Sequence, residues 1–259
     1  MLKDKEMLKY TQIGDSRSEI TLVFLHGSTM TKEGMLPVAE KFPMYNCIVF
    51  DLTAHGESSG EEPSEITTFA EDVEYSIAQL QQNNVIKGKV VLLGYSMGGA
   101  ITCEVAIRKE LKLSGMVLLS SGADLVNYTP LVGPLKNMPV EEFKSSVIFP
   151  LLFGTDTPEA EQKVIIDRFD ATKALDAVGY GDLMTSIRYN KLSECGSIDV
   201  PALMVHGNDD KIVLPMSAVE TWKAIPNSQL LMVPYKGHAV MFEDSELVKE
   251  KIVSFVEKL

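Results

Sequence analysis

Cysteine, tryptophan and histidine are scarce in this 259-residue chain, which holds three, one and four of them. Cys47, Cys103 and Cys195 are scattered and odd in number, with no Cys-x-x-Cys pair and no metal-ligand spacing. Neither a disulfide framework nor a metal centre is expected, and the three read as reduced thiols. Cys47 and Cys103 lie in apolar surroundings, where cysteine behaves as a small hydrophobe. Long apolar runs are also missing: none approaches the roughly 20 residues that cross a bilayer. The opening MLKDKEMLKYTQ threads charges through the stretch where a secretory leader would need an apolar core. A cytoplasmic location without a membrane span is the expectation. Positive charge is short as well, with 24 Lys and Arg against 36 Asp and Glu and a formal charge of -12. Nucleic acid and anionic membrane surfaces, which carry the same sign, are therefore disfavoured as partners. Nothing in the chain indicates an oligomeric state.

What is present is an ordinary globular balance, 45% hydrophobic and 23% charged residues, at a length that suits one large α/β domain. Short aliphatic, β-branched stretches recur at Ile20 to Leu25, Cys47 to Phe50, Lys89 to Leu93, Gly115 to Leu119, Ala202 to Val205 and Gln229 to Val233. That is how parallel strands covered on both faces look. Helical patterns lie between them. Phe69, Val73, Ile77 and Leu80 share one face, with Thr68 and Glu71 as an expected capping box. Val248, Ile252, Phe255 and Leu259 repeat the spacing near the C-terminus. The alternation predicts a doubly wound, mostly parallel sheet, with Met7 to Ile13 adding antiparallel edge structure. It breaks between about Ala123 and Glu194, where apolar residues such as Tyr128, Leu131, Val132, Phe143, Phe149 and Ile187 follow helical spacing. Thr157 and Pro158 read there as an N-cap and first turn. The expected organisation is a core of residues 1–122 and 195–259 with a helical cap inserted at 123–194.

The most informative stretch is Val90 to Ala100, VVLLGYSMGGA, in which a buried strand runs directly into Gly94-Tyr95-Ser96-Met97-Gly98. This Gly-x-Ser-x-Gly pattern is that of a nucleophile elbow. A serine hydroxyl is a poor nucleophile and must be presented on a tight strand-to-helix turn where a histidine can reach it. A Cβ at Gly94 or Gly98 would collide with neighbouring backbone, and the helix expected from Met97 brings its free N–H groups beside the hydroxyl.

Ligands of open α/β sheets bind beyond the carboxyl ends of the strands, so residues there are the candidates. His26, His55 and His206 each precede a glycine in a strand-end turn and read as hydrogen-bonding residues. Only His238 follows the last strand and precedes the last helix, where it can fold back onto Ser96 as its base. A histidine base needs a carboxylate to fix its tautomer. Asp210, in the loop after Ala202 to Val205, is preferred over Asp209, which reads as a solvated loop carboxylate, and Asp124 is the reserve. An oxyanion formed by attack on a carbonyl needs aimed donors. The backbone N–H groups of Met97 and Ser28 are the expected pair, the latter from His26-Gly27-Ser28.

With these segments in place the chain resembles the α/β-hydrolase fold family, over most of its length outside the insertion. The resemblance rests on Leu25-His26-Gly27, Asp51 to Ser58, the elbow at Ser96, the loop Gly207 to Pro215 and Gly237-His238, in the family order Ser, Asp, His. Gly94-Tyr95-Ser96-Met97-Gly98-Gly99 looks most like the carboxylesterase and monoacylglycerol-lipase-like branch. Thr53-Ala54 departs from the basic and small pair usual before His55-Gly56. The resemblance implies a serine hydrolase of small carboxylic esters with no cofactor or metal; the insertion matches no branch motif, and it is its own aliphatic and aromatic content that suggests an apolar acyl pocket. The same triad serves thioesterases, amidases, C–C hydrolases and perhydrolases, and the same fold serves non-catalytic ligand receptors. A haloalkane dehalogenase is disfavoured because position 96 carries serine and not aspartate.

Overall fold

The computed structural model describes residues 5–126, 138–170 and 176–259. Among the described residues seven strands build one sheet: β1 (Tyr10–Gly14), β2 (Ile20–Leu25), β3 (Asn46–Phe50), β4 (Lys89–Tyr95), β5 (Gly115–Leu119), β6 (Ala202–Gly207) and β7 (Ser228–Val233). Their order is β1-β3-β2-β4-β5-β6-β7. Only β1 runs antiparallel, against β3 at one edge. Every residue of β3, β5 and β6 is buried, because helices cover both faces of the sheet. At the other edge β7 is mostly half-buried. The expected mostly parallel α/β sheet is therefore what the chain forms.

Helix α1 (Lys32–Ala39) lies between β2 and β3, and α2 (Ile66–Gln82) buries Phe69, Val73, Ile77 and Leu80, as their spacing predicts. Full burial of such side chains is worth about 1.5–3 kcal/mol each. The expected capping box is corrected: α2 starts two residues before Thr68, and no side chain caps its N-cap residue Glu65. Burial of Ile66 extends the helix past the sequence signal. Similarly, the Thr157 hydroxyl donates to Glu243 and does not cap the helix Glu159–Asp170.

Between β5 and β6 the described residues are helical, in the pieces Val140–Phe143, Lys144–Ile148 (a π-helical turn), Phe149–Leu152, Glu159–Asp170, Asp176–Ser186 and the 3-10 turn Leu192–Ser197. An isolated bridge between Asp124 and Asn190 closes this segment where it leaves and rejoins the sheet. Tyr128, Leu131 and Val132 lie outside the described residues.

From β2 the chain moves outward to β3, then crosses back to place β4 on the other flank of β2. The strand order reverses there, which opens a crevice beyond the carboxyl ends of β2 and β4.

Candidate active site

The reversal point is where the elbow lies. Ser96 follows β4 directly, and α3 (Met97–Arg108) begins at the next residue. Ser96 holds φ 52° and ψ −119°, a conformation that costs a non-glycine residue about 1–3 kcal/mol and persists only where neighbours impose it. They do so here. The Ser96 N–H donates to the Leu119 carbonyl at 3.0 Å, and the Ser96 carbonyl accepts from the Ser121 hydroxyl at 2.6 Å and the Gly99 N–H at 2.8 Å. A Cβ on Gly98 would lie 2.5 Å from the Leu25 carbonyl oxygen, and one on Gly94 would overlap the Gly98 carbonyl. Both glycines are sterically required.

Register brings the β2 tip alongside. Leu25 pairs with Gly94, and Gly27, two residues on, runs beside Tyr95 and Ser96. A Cβ on Gly27 would sit 3.1 Å from that of Ser96. His26 anchors this tip: its Nε2 accepts the Leu52 N–H at 3.0 Å and its Nδ1–H donates to the Gly27 carbonyl at 2.9 Å. Burial, with the nearby His55 charge, holds the His26 imidazole well below its ordinary pKa, so it stays neutral.

The loop after β6 turns Asp210 fully inward. Its Oδ1 accepts the N–H groups of Ile212 and Val213 at 2.9 and 3.0 Å. Its Oδ2 accepts His238 Nδ1–H at 2.8 Å and lies 3.1 Å from His206 Nε2. Burial pushes the Asp210 carboxyl up, but the His238 charge and the hydrogen bonds from His206 and His238 outweigh it and bring it down to about 2. His238 is itself buried, with its ring centroid 5.1 Å from that of Tyr95. Because Nδ1 is committed to Asp210, Nε2 is the nitrogen left for the cavity.

Ser96 and His238 line one cavity together with Gly27, Ser28, Thr29 and Met30 from the β2 tip. The inserted helices supply the facing wall, chiefly Phe143, Ile148, Phe149, Leu152 and Leu183. Lys144 also reaches this wall, buried and 3.3 Å from Glu141. The other two carboxylates lie elsewhere. Asp209 accepts from the Thr155 N–H and hydroxyl, so it tethers the insertion and is not simply solvated. Asp124 accepts the Val126 N–H at the foot of the insertion. Among the described residues no His, Cys, Asp and Glu side chains gather as a metal-binding set.

Three buried polar residues around the site carry no sequence signal: Lys144, Asp182 and Glu243. Each reaches its partners through the insertion, whose contacts no local pattern specifies.

The sequence matches the alpha/beta hydrolase family profile over residues 22–250. Over 109 residues it is 38% identical to a Haemophilus influenzae protein provisionally named 2-succinyl-6-hydroxy-2,4-cyclohexadiene-1-carboxylate synthase, a match spanning 41% of this chain and 42% of that protein. Lipase 1 of Psychrobacter immobilis is 25% identical over 93% of this chain and 78% of its own length. A solved lipase-esterase related protein from Clostridium acetobutylicum superposes with TM-score 0.85 at 25% identity, covering 96% of this chain and all of that one. With the family profile spanning nearly the whole sheet and the elbow at its reversal point, this chain belongs to the alpha/beta hydrolase family, and its kinship is with hydrolases of the lipase and esterase kind.

Proposed function

We propose that this protein is a serine hydrolase cleaving carboxylic esters of apolar acyl groups through a Ser96-His238-Asp210 triad. The observation that carries the proposal is the buried Asp210–His238 pair, which commits Nδ1 and leaves Nε2 facing the cavity that Ser96 enters from its strained turn. In this reading Ser96 Oγ attacks the ester carbonyl while His238 Nε2 takes its proton. The N–H groups of Ser28 and Met97 hold the oxyanion, at the β2 tip and the start of α3. His238 returns the proton to the departing alcohol, leaving an acyl group on Ser96. Water, deprotonated by His238, then releases the acid and restores the serine.

The insertion acts as a cap, and its aliphatic and aromatic side chains supply the acyl pocket. No metal or organic cofactor takes part. Support comes also from the lipase and esterase relatives, which tie the fold to ester chemistry in those proteins.

The test is turnover of p-nitrophenyl esters of graded chain length, with fluorophosphonate labelling and Ser96→Ala as control. The expected result is labelling at Ser96 and a loss on the order of 10⁴-fold or more in Ser96→Ala. Absence of both turnover and labelling would point to a ligand receptor on this fold. Faster turnover of matched thioesters or amides would move the substrate class without moving the triad.

A further inference from the structure

The helix Asp176–Ser186 sends a fully buried carboxylate down to the β2 tip. Asp182 Oδ2 accepts the Thr29 backbone N–H at 2.8 Å, and the same oxygen takes His55 Nε2–H at 3.0 Å. On its other side His55 Nδ1 lies 2.9 Å from the Thr53 carbonyl oxygen. Both ring nitrogens therefore face acceptors, which only the doubly protonated imidazolium can satisfy. Asp182 and His55 form a buried ion pair, and the carboxylate oxygen that binds His55 also holds the loop that carries Ser28. That loop needs holding. Thr29 is β-branched yet has φ 61°, a genuine outlier for such a residue. Within the turn the Met30 N–H closes weakly on the Gly27 carbonyl oxygen, at 3.3 Å. From the same helix, Ser186 Oγ lies 3.4 Å from Ser28 Oγ.

We propose that Asp182, paired with His55, is a positioning residue for the oxyanion hole: by clamping the Thr29 amide it fixes the Gly27–Thr29 turn so that the Ser28 N–H points at the developing oxyanion. The inference rests on the triad reading above. It makes the insertion part of the catalytic geometry, because the clamp belongs to the inserted segment and the donor to the sheet. Released from the carboxylate, the Ser28–Thr29 peptide can flip, which relieves the positive φ and loosens the adjoining peptide that carries the oxyanion donor. Other titratable groups face the pair. Glu62 approaches Asp182 and His55 from the chain leading into α2, and the His26 ring centroid is 4.9 Å from that of His55.

The test compares wild type with Asp182→Asn and Asp182→Ala on a p-nitrophenyl ester, with active sites titrated by fluorophosphonate so that misfolded protein is not counted. An alkyl trifluoromethyl ketone is the second probe, since its adduct with the serine places an oxyanion in the hole. The expected result is a kcat loss of about 10- to 100-fold in Asp182→Ala, a smaller one in Asp182→Asn, and KM within about 3-fold of wild type. Affinity for the ketone falls by the same factor as kcat. Wild-type kcat per titrated site, or a rise in KM alone, overturns the proposal. The two readings fail differently. A fully active Ser96→Ala sinks the triad and this clamp with it, whereas an inactive Ser96→Ala beside a wild-type-like Asp182→Ala sinks the clamp alone.

Discussion

His206 donates from Nε2 to Oδ2 of Asp210 across 3.1 Å, onto the oxygen that also receives the His238 Nδ1–H. The same Nε2 lies 2.9 Å from the Val213 carbonyl oxygen, so the hydrogen is shared and the ring is fixed between the two ends of the acid loop. Asp210 is thereby kept ionised and oriented without any contact from solvent.

A stability difference follows from its low pKa. The folded-state value of about 2 lies below the ordinary aspartate value of 3.8. The ionised form is therefore the one that folding favours, and its contribution is complete above pH ~4 and lost as the pH falls through ~2, on the order of 2 kcal/mol in all. Urea unfolding between pH 5 and pH 2 should show a steeper acid loss in wild type than in Asp210→Asn. Turnover of Asp210→Asn should fall about 10⁴-fold, while Asp209→Asn loses far less. An Asp209→Asn loss as large as that of Asp210→Asn would reassign the acid.

Glu62 has the opposite sign. Burial first, and the Asp182 charge second, raise its carboxyl to about 7 from the ordinary glutamate value of 4.5. Folding then favours the protonated form, so this group's effect is neutral below pH ~4.5, grows destabilising as the pH rises from there, and is complete above ~7. Glu62→Gln removes that penalty and should raise the melting temperature at pH 8 more than at pH 5. Equal shifts at the two values would show that Glu62 does not titrate against Asp182. A Cβ at Gly181 would overlap the Glu62 carboxylate, so a substitution there has to displace that side chain.

Gly98 separates the elbow from the β2 tip. An added methyl would lie 2.5 and 2.6 Å from the carbonyl oxygens of Leu25 and His26, both backbone atoms that cannot swing aside. Gly98→Ala should cost about 1–3 kcal/mol as overpacking, and it should cut turnover because any relief displaces the segment leading to Ser28. Urea unfolding and kcat check the two parts. A stable variant with wild-type kcat would mean that the elbow tolerates a wider gap from β2 than this geometry allows.

The residues at strand ends were legible because two local rules coincide there, apolar runs that stop and glycines that permit a turn. Ser96, His238 and Asp210 sit at such ends, and parallel pairing forces those ends to one side of the sheet. Asp210 and Asp209 differ in sequence only by one position, yet the turn sends one to His238 and the other to Thr155. Asp182 was not legible. It is one carboxylate on a helix of low amphipathicity, and what it touches is decided by how the insertion packs on the β2 tip. The start of α2 was misplaced for a related reason, because burial of Ile66 outweighs the capping preference of Thr68.

Glu243 ties the His238 loop to the insertion from beneath. One carboxylate oxygen accepts the Gly154 N–H at 2.8 Å and the Thr157 hydroxyl, and the other accepts the Gly237 N–H at 2.8 Å. Burial pushes this carboxyl up, against the pull of those three donors and of the Lys236 charge. Glu243→Leu keeps the bulk but strands three donors, two of them backbone amides flanking the contact between Gly154 and Gly237. Each buried unsatisfied group costs about 1–3 kcal/mol, so a loss of several kcal/mol is expected by urea unfolding. Glu243→Gln keeps one acceptor oxygen and turns an amide NH₂ toward one donor, so it should fall between Leu and wild type. Because Gly237 immediately precedes His238, the Gln variant should also lose turnover beyond what its stability explains when kcat is taken per titrated active site. If Glu243→Gln keeps wild-type kcat while losing stability, the carboxylate supports the fold and leaves the placement of His238 to Asp210 alone.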